Sequence, residues 1–242
     1  MCEDCGCGDP KIVPVDVHER ILADNDRTAQ HNRHHFDGDG VLAINLMGSP
    51  GSGKTALLEA TARATRGAVR IGAISGDLAT DNDAVRLRTA GIPSIAITTG
   101  QACHLDAEMI HQALHDPPWK ALDWLFVENV GNLVCPAIYD LGQRANVVTL
   151  SVTEGVDKPL KYPVMFRKAD LVVVTKIDLL PHLDGVSLQA IADALAHVMP
   201  TPRMIAVSAR TGEGLDAWVA WLQRQRTVPR AGHHHEETSN VG

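Results

Sequence analysis

Residues 41–55 read VLAINLMGSPGSGKT, and KTALLEATARAT continues from 54 to 65. The apolar run 41–48 has the length of a buried strand. The stretch 54–65 repeats Leu57, Ala60, Thr61 and Ala64 on one helical face. Between them Gly48, Ser49, Pro50, Gly51, Ser52, Gly53, Lys54 and Thr55 fit G-x-x-x-x-G-K-[ST] in the strand–loop–helix setting that motif requires. Glycines let the backbone curl so that successive N–H groups face a phosphate, and the helix N-terminus adds partial positive charge. Lys54 then reaches the β- and γ-phosphates, and the Thr55 hydroxyl becomes a ligand for Mg²⁺.

Working outward, further strands are expected at 69–75, 94–99, 124–130, 146–153, 171–176 and 204–208. Helices are expected at 81–91, 105–115, 187–199 and 214–225. The alternation predicts an α/β fold, a three-layer P-loop NTPase with a mostly parallel β-sheet flanked by helices. Residues 40–226 form this domain. Residues 227–242 read as a disordered polar tail, with three histidines of little weight. Residues 1–39 form an extension: a thiol motif, then one modest docking helix over roughly 15–34 with Val17, Ile21 and Leu22 as a weak apolar stripe. His31 and His35 lie four apart there and share a helical face, as solvated side chains or as an auxiliary metal site.

The 22 basic and 29 acidic residues leave a formal charge of −7, which argues against a nucleic-acid binder. The opening MCEDCGCGDP has no apolar core of a signal peptide, and no run has the ~18 apolar residues of a membrane span. A cytoplasmic protein with reduced thiols is the expectation.

Thr175-Lys176-Ile177-Asp178 follows the strand LVVV, and Ser208-Ala209-Arg210 follows the next. A carboxylate at Asp178 can accept from guanine N1–H and N2–H₂, a donor pair that adenine lacks. Lys176 can lie along the base, and a backbone N–H of the Ser208–Arg210 segment can meet guanine O6. Thr175 stands where GTPases usually carry Asn, which weakens a bracing hydrogen bond but not the choice of base. Asp77, in Gly76–Ala84, is expected to position the attacking water and contact the magnesium shell. Asp81 and Asp83 read better as helix-capping residues. Glu128 stands where a second switch would order the Mg²⁺ waters, with Gly131 as a hinge.

Cys2, Cys5 and Cys7 can converge on one borderline-soft cation such as Ni²⁺ or Zn²⁺, with the N-terminal amine as a fourth donor. Incidental exposed thiols are the alternative. Cys103-His104 and Cys135 follow different strands, but in a parallel sheet both loops emerge at the nucleotide edge. Two thiols and one imidazole leave a tetrahedral site incomplete, which suggests a two-fold-shared or an open site. Buried structural cysteines remain open on this reading.

The stretches CEDCGCG, NLMGSPGSGKT, GDLATDNDAVRL, TGQACHLDA, FVENVGNLVCP, SVTEGVDKPLKYP, TKIDLLP and SARTGEG jointly resemble the HypB family, nickel-insertion GTPases of NiFe-hydrogenase maturation. The resemblance covers residues 40–225 and the N-terminal thiols. It implies a SIMIBI-class GTPase using GTP/GDP and Mg²⁺, with slow turnover and GTP-dependent homodimerisation. It also implies a Ni²⁺/Zn²⁺ site at the dimer interface from Cys103, His104 and Cys135, and a high-affinity nickel motif at Cys2, Cys5 and Cys7. The implied partners are a HypA-type zinc-binding accessory protein and the hydrogenase large-subunit precursor. Scattered histidines replace the long His-rich run of some relatives, so nickel storage is not implied. A urease-type nickel GTPase and a nickel buffer with a vestigial GTPase are the alternatives; the terminal thiols disfavour the first and the complete nucleotide motifs the second.

Overall fold

A computed structural model describes residues 13–100 and 102–227, with side chains from residue 20 onward. Cys2, Cys5, Cys7 and the C-terminal histidines therefore lie outside the described residues. The chain runs α1 (Val13–Gly38), β1 (Leu42–Met47), α2 (Lys54–Thr65), β2 (Ile71–Asp77), α3 (Asn82–Thr89), β3 (Ser94–Thr98), α4 (Ala107–Ala113) and β4 (Trp124–Glu128). It continues β5 (Ala145–Ser151), α5 (Lys158–Lys161), α6 (Pro163–Arg167), β6 (Leu171–Thr175), α7 (Leu188–Val198), β7 (Met204–Val207) and α8 (Leu215–Thr227).

The seven strands form one sheet in the order β3-β2-β4-β1-β5-β6-β7, and every adjacent pair is parallel. A parallel sheet is covered on both faces, so its central strands are apolar at every position rather than at alternate ones. β1, β4 and β6 are buried throughout. Alternation still decides which layer each residue serves. Leu42, Ile44, Leu46, Trp124 and Phe126 pack with Leu57, Leu58, Leu87, Trp218 and Leu222 of α2, α3 and α8. On the opposite face, Ala43, Leu125 and Val127 pack with Phe36 of α1 and Ile110 of α4. Val148, Leu150, Val172 and Val174 meet Phe166, Ile191 and Leu195 of α6 and α7. The three layers expected from the strand–helix alternation are thus present. α5 and α6, not foreseen, follow β5 as two short turns.

The first helix departs from its expected stripe. Ile21 is 51% exposed, and the docked face carries Asn25, Ala29, Asn32 and Phe36, all buried at helical spacing. The two amides clasp the first residue of α4: Asn25 Oδ1 accepts from Ala107 N at 2.9 Å, and Asn32 Nδ2 donates to Ala107 O at 2.8 Å. Asn32 Nδ2 also reaches Leu141 O at 3.3 Å, and Arg33 pairs with Asp140 at 2.6 Å. A hydrogen-bonded polar seam carries no hydrophobic periodicity, so the pattern underestimates it. Asn32→Ala should destabilise the fold by ~1–3 kcal/mol, the cost of stranding buried polar partners. Urea unfolding should show this as a lower midpoint at unchanged slope; an unchanged midpoint would mean that the seam is ornamental.

Candidate functional site

All seven strands deliver a functional segment to their C-terminal edge, where parallel sheets gather ligands. Gly48 ends β1 with φ +151, and a Cβ there would lie 2.5 Å from Thr149 Oγ1. Only glycine lets the loop close over β5. Ser52 Oγ and Thr149 Oγ1 then sit 2.7 Å apart, and Thr175 Oγ1 donates to Ser52 O at 2.6 Å. Through the last contact Thr175 braces the phosphate loop directly, because the loop comes close enough for its short side chain. Lys176 Nζ adds a hydrogen bond to Gly51 O at 2.7 Å. Ser49 Oγ donates to Glu154 Oε2, while Glu154 Oε1 accepts from Ser151 N at 2.9 Å in a capping box. Glu154 is a contributor whose role sequence reasoning missed, although S-x-x-E at 151–154 is a readable capping signal.

Lys54 is buried, and its ammonium lies 3.3 Å from both Gly48 O and Ser49 O. Burial lowers its pKa, opposed by Glu128, Asp83, Glu154 and Asp77. The Thr55 hydroxyl sits 2.6 Å from Glu128 Oε1 and 2.8 Å from Asp83 Oδ1. Asp83 therefore belongs to the site. Its position near the start of α3 reads in sequence as a cap, yet its carboxylate turns to Thr55. Asp77 lines the same cleft of about 350 Å³. Its Oδ1 accepts from Ala79 N and Thr80 N, both at 2.9 Å, and these bonds hold its pKa below the usual range. Gly131 packs its bare Cα on Pro50; a Cβ would lie 2.8 Å from Pro50 Cγ.

The base-side segments also meet. Ser208 Oγ donates to Asp178 Oδ1 at 2.7 Å, and Arg63 donates to Ala209 O at 3.1 Å. Asp178, Lys176, Ala209 and Arg210 line an open cleft with Leu179 and Arg63.

Cys103, His104 and Cys135 converge, with ligand atoms all within 4.8 Å of one another, the only such group of three among the described residues. The two Sγ atoms are 2.8 Å apart, longer than a ~2.05 Å disulfide. Cys103 Sγ lies 3.8 Å from His104 Nδ1, and the His104 ring stacks on Tyr139 at 3.8 Å between centroids. Tyr139 is a second contributor with no sequence signal. Asn129, buried beside Glu128, ties this group to the phosphate cleft. Its Oδ1 accepts from Leu105 N at 3.0 Å, and its Nδ2 donates to Asn45 Oδ1 at 3.1 Å.

The residues around Thr55 suit a hard divalent cation. Glu128 is 2% exposed, and its Oε2 is buried with no hydrogen-bond partner among the described residues. Burial pushes its pKa up to about 7, aided by Asp83 and opposed by the Thr55 hydrogen bond. A pKa higher in the folded than in the unfolded chain means that folding takes up a proton. That stabilisation is complete below about pH 4.5 and lost as pH rises through about 7, amounting to roughly 3 kcal/mol. His31 and His104, with lowered pKa values, work in the opposite direction. The difference in stability between wild type and Glu128→Gln isolates the carboxyl. In EDTA it should favour wild type increasingly as pH falls across this window, and a flat difference would contradict the assignment.

Residues 42–205 match the family model for the CobW/HypB/UreG nucleotide-binding domain. A hydrogenase maturation factor HypB from Rhizobium leguminosarum bv. viciae is 52% identical over 209 residues, covering 86% of this chain and 70% of that protein. HypB from Archaeoglobus fulgidus superposes with TM-score 0.77 at 40% identity, over 85% of this chain and 100% of that one. HypB from Helicobacter pylori, solved in complex with nickel, superposes with TM-score 0.80 at 35% identity, over 87% and 99%. Fold, phosphate loop and relatives agree, and the chain belongs to the HypB family of hydrogenase maturation factors.

Proposed function

We propose that this chain is a GTP-hydrolysing nickel metallochaperone of NiFe-hydrogenase maturation, in which the nucleotide state sets the affinity of the Cys103–His104–Cys135 site. The observation that carries the reading is the short path between the two sites. Glu128 bonds Thr55, its neighbour Asn129 holds Leu105 N, and Leu105 follows His104. Cys135 lies seven residues beyond Glu128 on the same segment. A shift at the end of β4 moves both sides of the thiol group. The nickel complex of the Helicobacter pylori relative supports nickel as cargo, and Zn²⁺ suits the same S/N donors.

Mg²⁺ would be held by Thr55 and, directly or through water, by Glu128 and Asp83; when bound it neutralises charge on the phosphates. The other work falls to the chain. Backbone N–H groups of Gly51–Thr55 and the Lys54 ammonium stabilise the phosphate oxygens. Asp77, kept ionised by its turn, is a weak base but a good acceptor for orienting the attacking water. Turnover stays below ~10⁻² s⁻¹ without a partner, the range of intrinsic GTPases. Two thiols and one imidazole leave room for donors from a second copy. Exposed Val134 and Ile138 flank Cys135 and Leu78 follows Asp77, supporting a GTP-dependent homodimer. Cys2, Cys5 and Cys7 would take up nickel first. A HypA-type accessory protein and the hydrogenase large-subunit precursor complete the route.

Two measurements test this. With Cys2, Cys5 and Cys7 replaced by Ser, nickel passage to a chelator should differ between GTP- and GDP-loaded protein, and Cys103→Ala should abolish the difference. Nucleotide-dependent release that survives Cys103→Ala sinks the site assignment. Separately, Asp178→Asn exchanges an acceptor pair for one acceptor and one donor, matching xanthine rather than guanine. GTP affinity should fall at least ~100-fold while xanthosine triphosphate binding improves. Equal loss of both would show that Asp178 serves structure alone.

A further inference from the structure

On the face of α1 and α4 remote from the phosphate loop, four imidazoles form a continuous row. His31 and His35 project from α1, His111 from α4, and His115 lies just beyond the end of α4. Ring centroids are 4.5 Å apart for His31–His35, 4.9 Å for His31–His111, 6.3 Å for His35–His111 and 4.8 Å for His111–His115. Two pairs spaced by four residues thus face each other across one helix–helix seam. None of these side chains takes part in the nucleotide or thiol chemistry. His31, His35 and His115 are exposed and His111 is half-buried, so an ion can reach them from solvent.

As they stand, no three donor atoms of the row lie within 4.8 Å of one another, so an ion must draw the rings together by side-chain rotation; two features favour that. His31 Nε2 and His35 Nε2 are 2.9 Å apart. The contact is an N–H···N hydrogen bond, so the donor ring must move its proton to Nδ1 and the rings must turn before both lone pairs face one ion. The separation then needs little change, since two nitrogens held ~2.0–2.1 Å from one ion lie ~2.9–3.4 Å apart for ligand angles of ~90–109°. The tautomer of His111 is also fixed. Its Nδ1 lies 3.2 Å from Asn32 Oδ1, while Asn32 Nδ2 donates to Ala107 O and Leu141 O. The oxygen end of that amide therefore faces the ring, His111 Nδ1–H is the donor, and Nε2 carries the free lone pair. A ligand histidine whose second nitrogen is anchored in this way is the usual outer support of an imidazole–metal bond.

We infer that His31, His35 and His111, with His115 as an exchangeable fourth donor, form a second transition-metal site for a late first-row divalent cation, separate from the Cys103–His104–Cys135 group. All-imidazole ligation suits Ni²⁺, Cu²⁺ and Zn²⁺ and excludes Mg²⁺ as the natural occupant. The site needs no second copy of the chain, since both helices belong to one protomer.

The test uses the full chain with Cys2, Cys5, Cys7, Cys103 and Cys135 changed to Ser and His233, His234 and His235 changed to Ala, so that no other strong donor group competes. Ni²⁺ titration by calorimetry should show one bound equivalent. His31→Ala, His35→Ala and His111→Ala should each weaken it at least tenfold, and Asn32→Gln should weaken it less. Electron paramagnetic resonance of the Cu²⁺-loaded protein should show coupling to at least two nitrogens, lost in the His31→Ala/His35→Ala double variant. Circular dichroism and GTP binding, which exposed histidines do not support, confirm that each variant is folded. Failure of the parent to bind Ni²⁺, or binding indifferent to these histidines, overturns the site. In protein with all cysteines intact, His31→Ala/His35→Ala should leave nucleotide-dependent release from the thiol group unchanged. That arm separates this site from the GTPase reading, and loss of release there would mean that the imidazoles are part of the thiol site's route rather than a second site.

Discussion

One hydroxyl hydrogen serves two carboxylates at the centre of this molecule. Thr55 Oγ1 lies within hydrogen-bond distance of both Glu128 and Asp83, yet it can donate to only one of them. A neutral Glu128 resolves the conflict by donating to Thr55, which then donates to Asp83. An ionised Glu128 leaves one carboxylate facing a lone pair, and its own Oε2 already has no partner among the described residues. Either a proton or a cation must enter. On the proposed reading Mg²⁺ is that cation, taking the place of a proton that burial would otherwise recruit. It also explains acidic residues beside a polyanion site, where they would be repelled without a metal between them.

The same strand end carries the consequence outward. Glu128 and Asn129 are adjacent, so the residue that senses the cation and the residue that holds Leu105 N share one peptide bond. Asn129 is buried and uses both ends of its amide, toward Leu105 and Val130 on one side and Asn45 of β1 on the other. A buried amide bonded at both ends has little freedom to absorb a displacement. In the proposed coupling it is the link from the end of β4 to the loop bearing Cys103 and His104. Cys135 is carried by the same chain beyond Gly131, which rests on Pro50 of the phosphate loop. The thiol group is therefore bounded on both sides by elements that touch the nucleotide cleft.

Much of this was legible in the sequence, for identifiable reasons. Strands buried on both faces read as apolar runs, and the phosphate loop ties the first of them to a helix, so sheet and layers followed. The placing of Lys54, Thr55 and Asp178 at clefts of the sheet edge and the convergence of Cys103, His104 and Cys135 could be read in advance because each follows a strand at a fixed position. The misses share another cause. Asp83 sits where acidic residues ordinarily cap helices, and a one-dimensional signal cannot separate a cap from a carboxylate turned inward. The docking of α1 rests on Asn25 and Asn32, which contribute nothing to a hydrophobic pattern. α5 and α6 have four and five residues, too few turns to show a period.

These features meet in α4. Its first residue is held at N and O by two asparagines of α1, and Leu105, two residues earlier, is held by Asn129. His104 therefore enters the thiol group just ahead of a backbone pinned at Leu105 and Ala107, and His111 leaves α4 one turn beyond Ala107 with its tautomer set by Asn32. A single rigid element thus orients a sulfur-rich donor set at the sheet edge and an imidazole-rich one at the helix seam. The two sets differ in softness, and only the first is bonded through Asn129 to the switch. In the proposed coupling, nucleotide biases the thiol group through Leu105, whereas it reaches the imidazoles only by moving α4 as a whole against the clasp of Asn25 and Asn32. That clasp buries two amides with their partners satisfied, so moving α4 would break several buried hydrogen bonds at once, at ~1–3 kcal/mol for each partner left unpaired. The two proposed roles therefore differ within one protomer: constant affinity at the imidazole row and switched affinity at the thiol group.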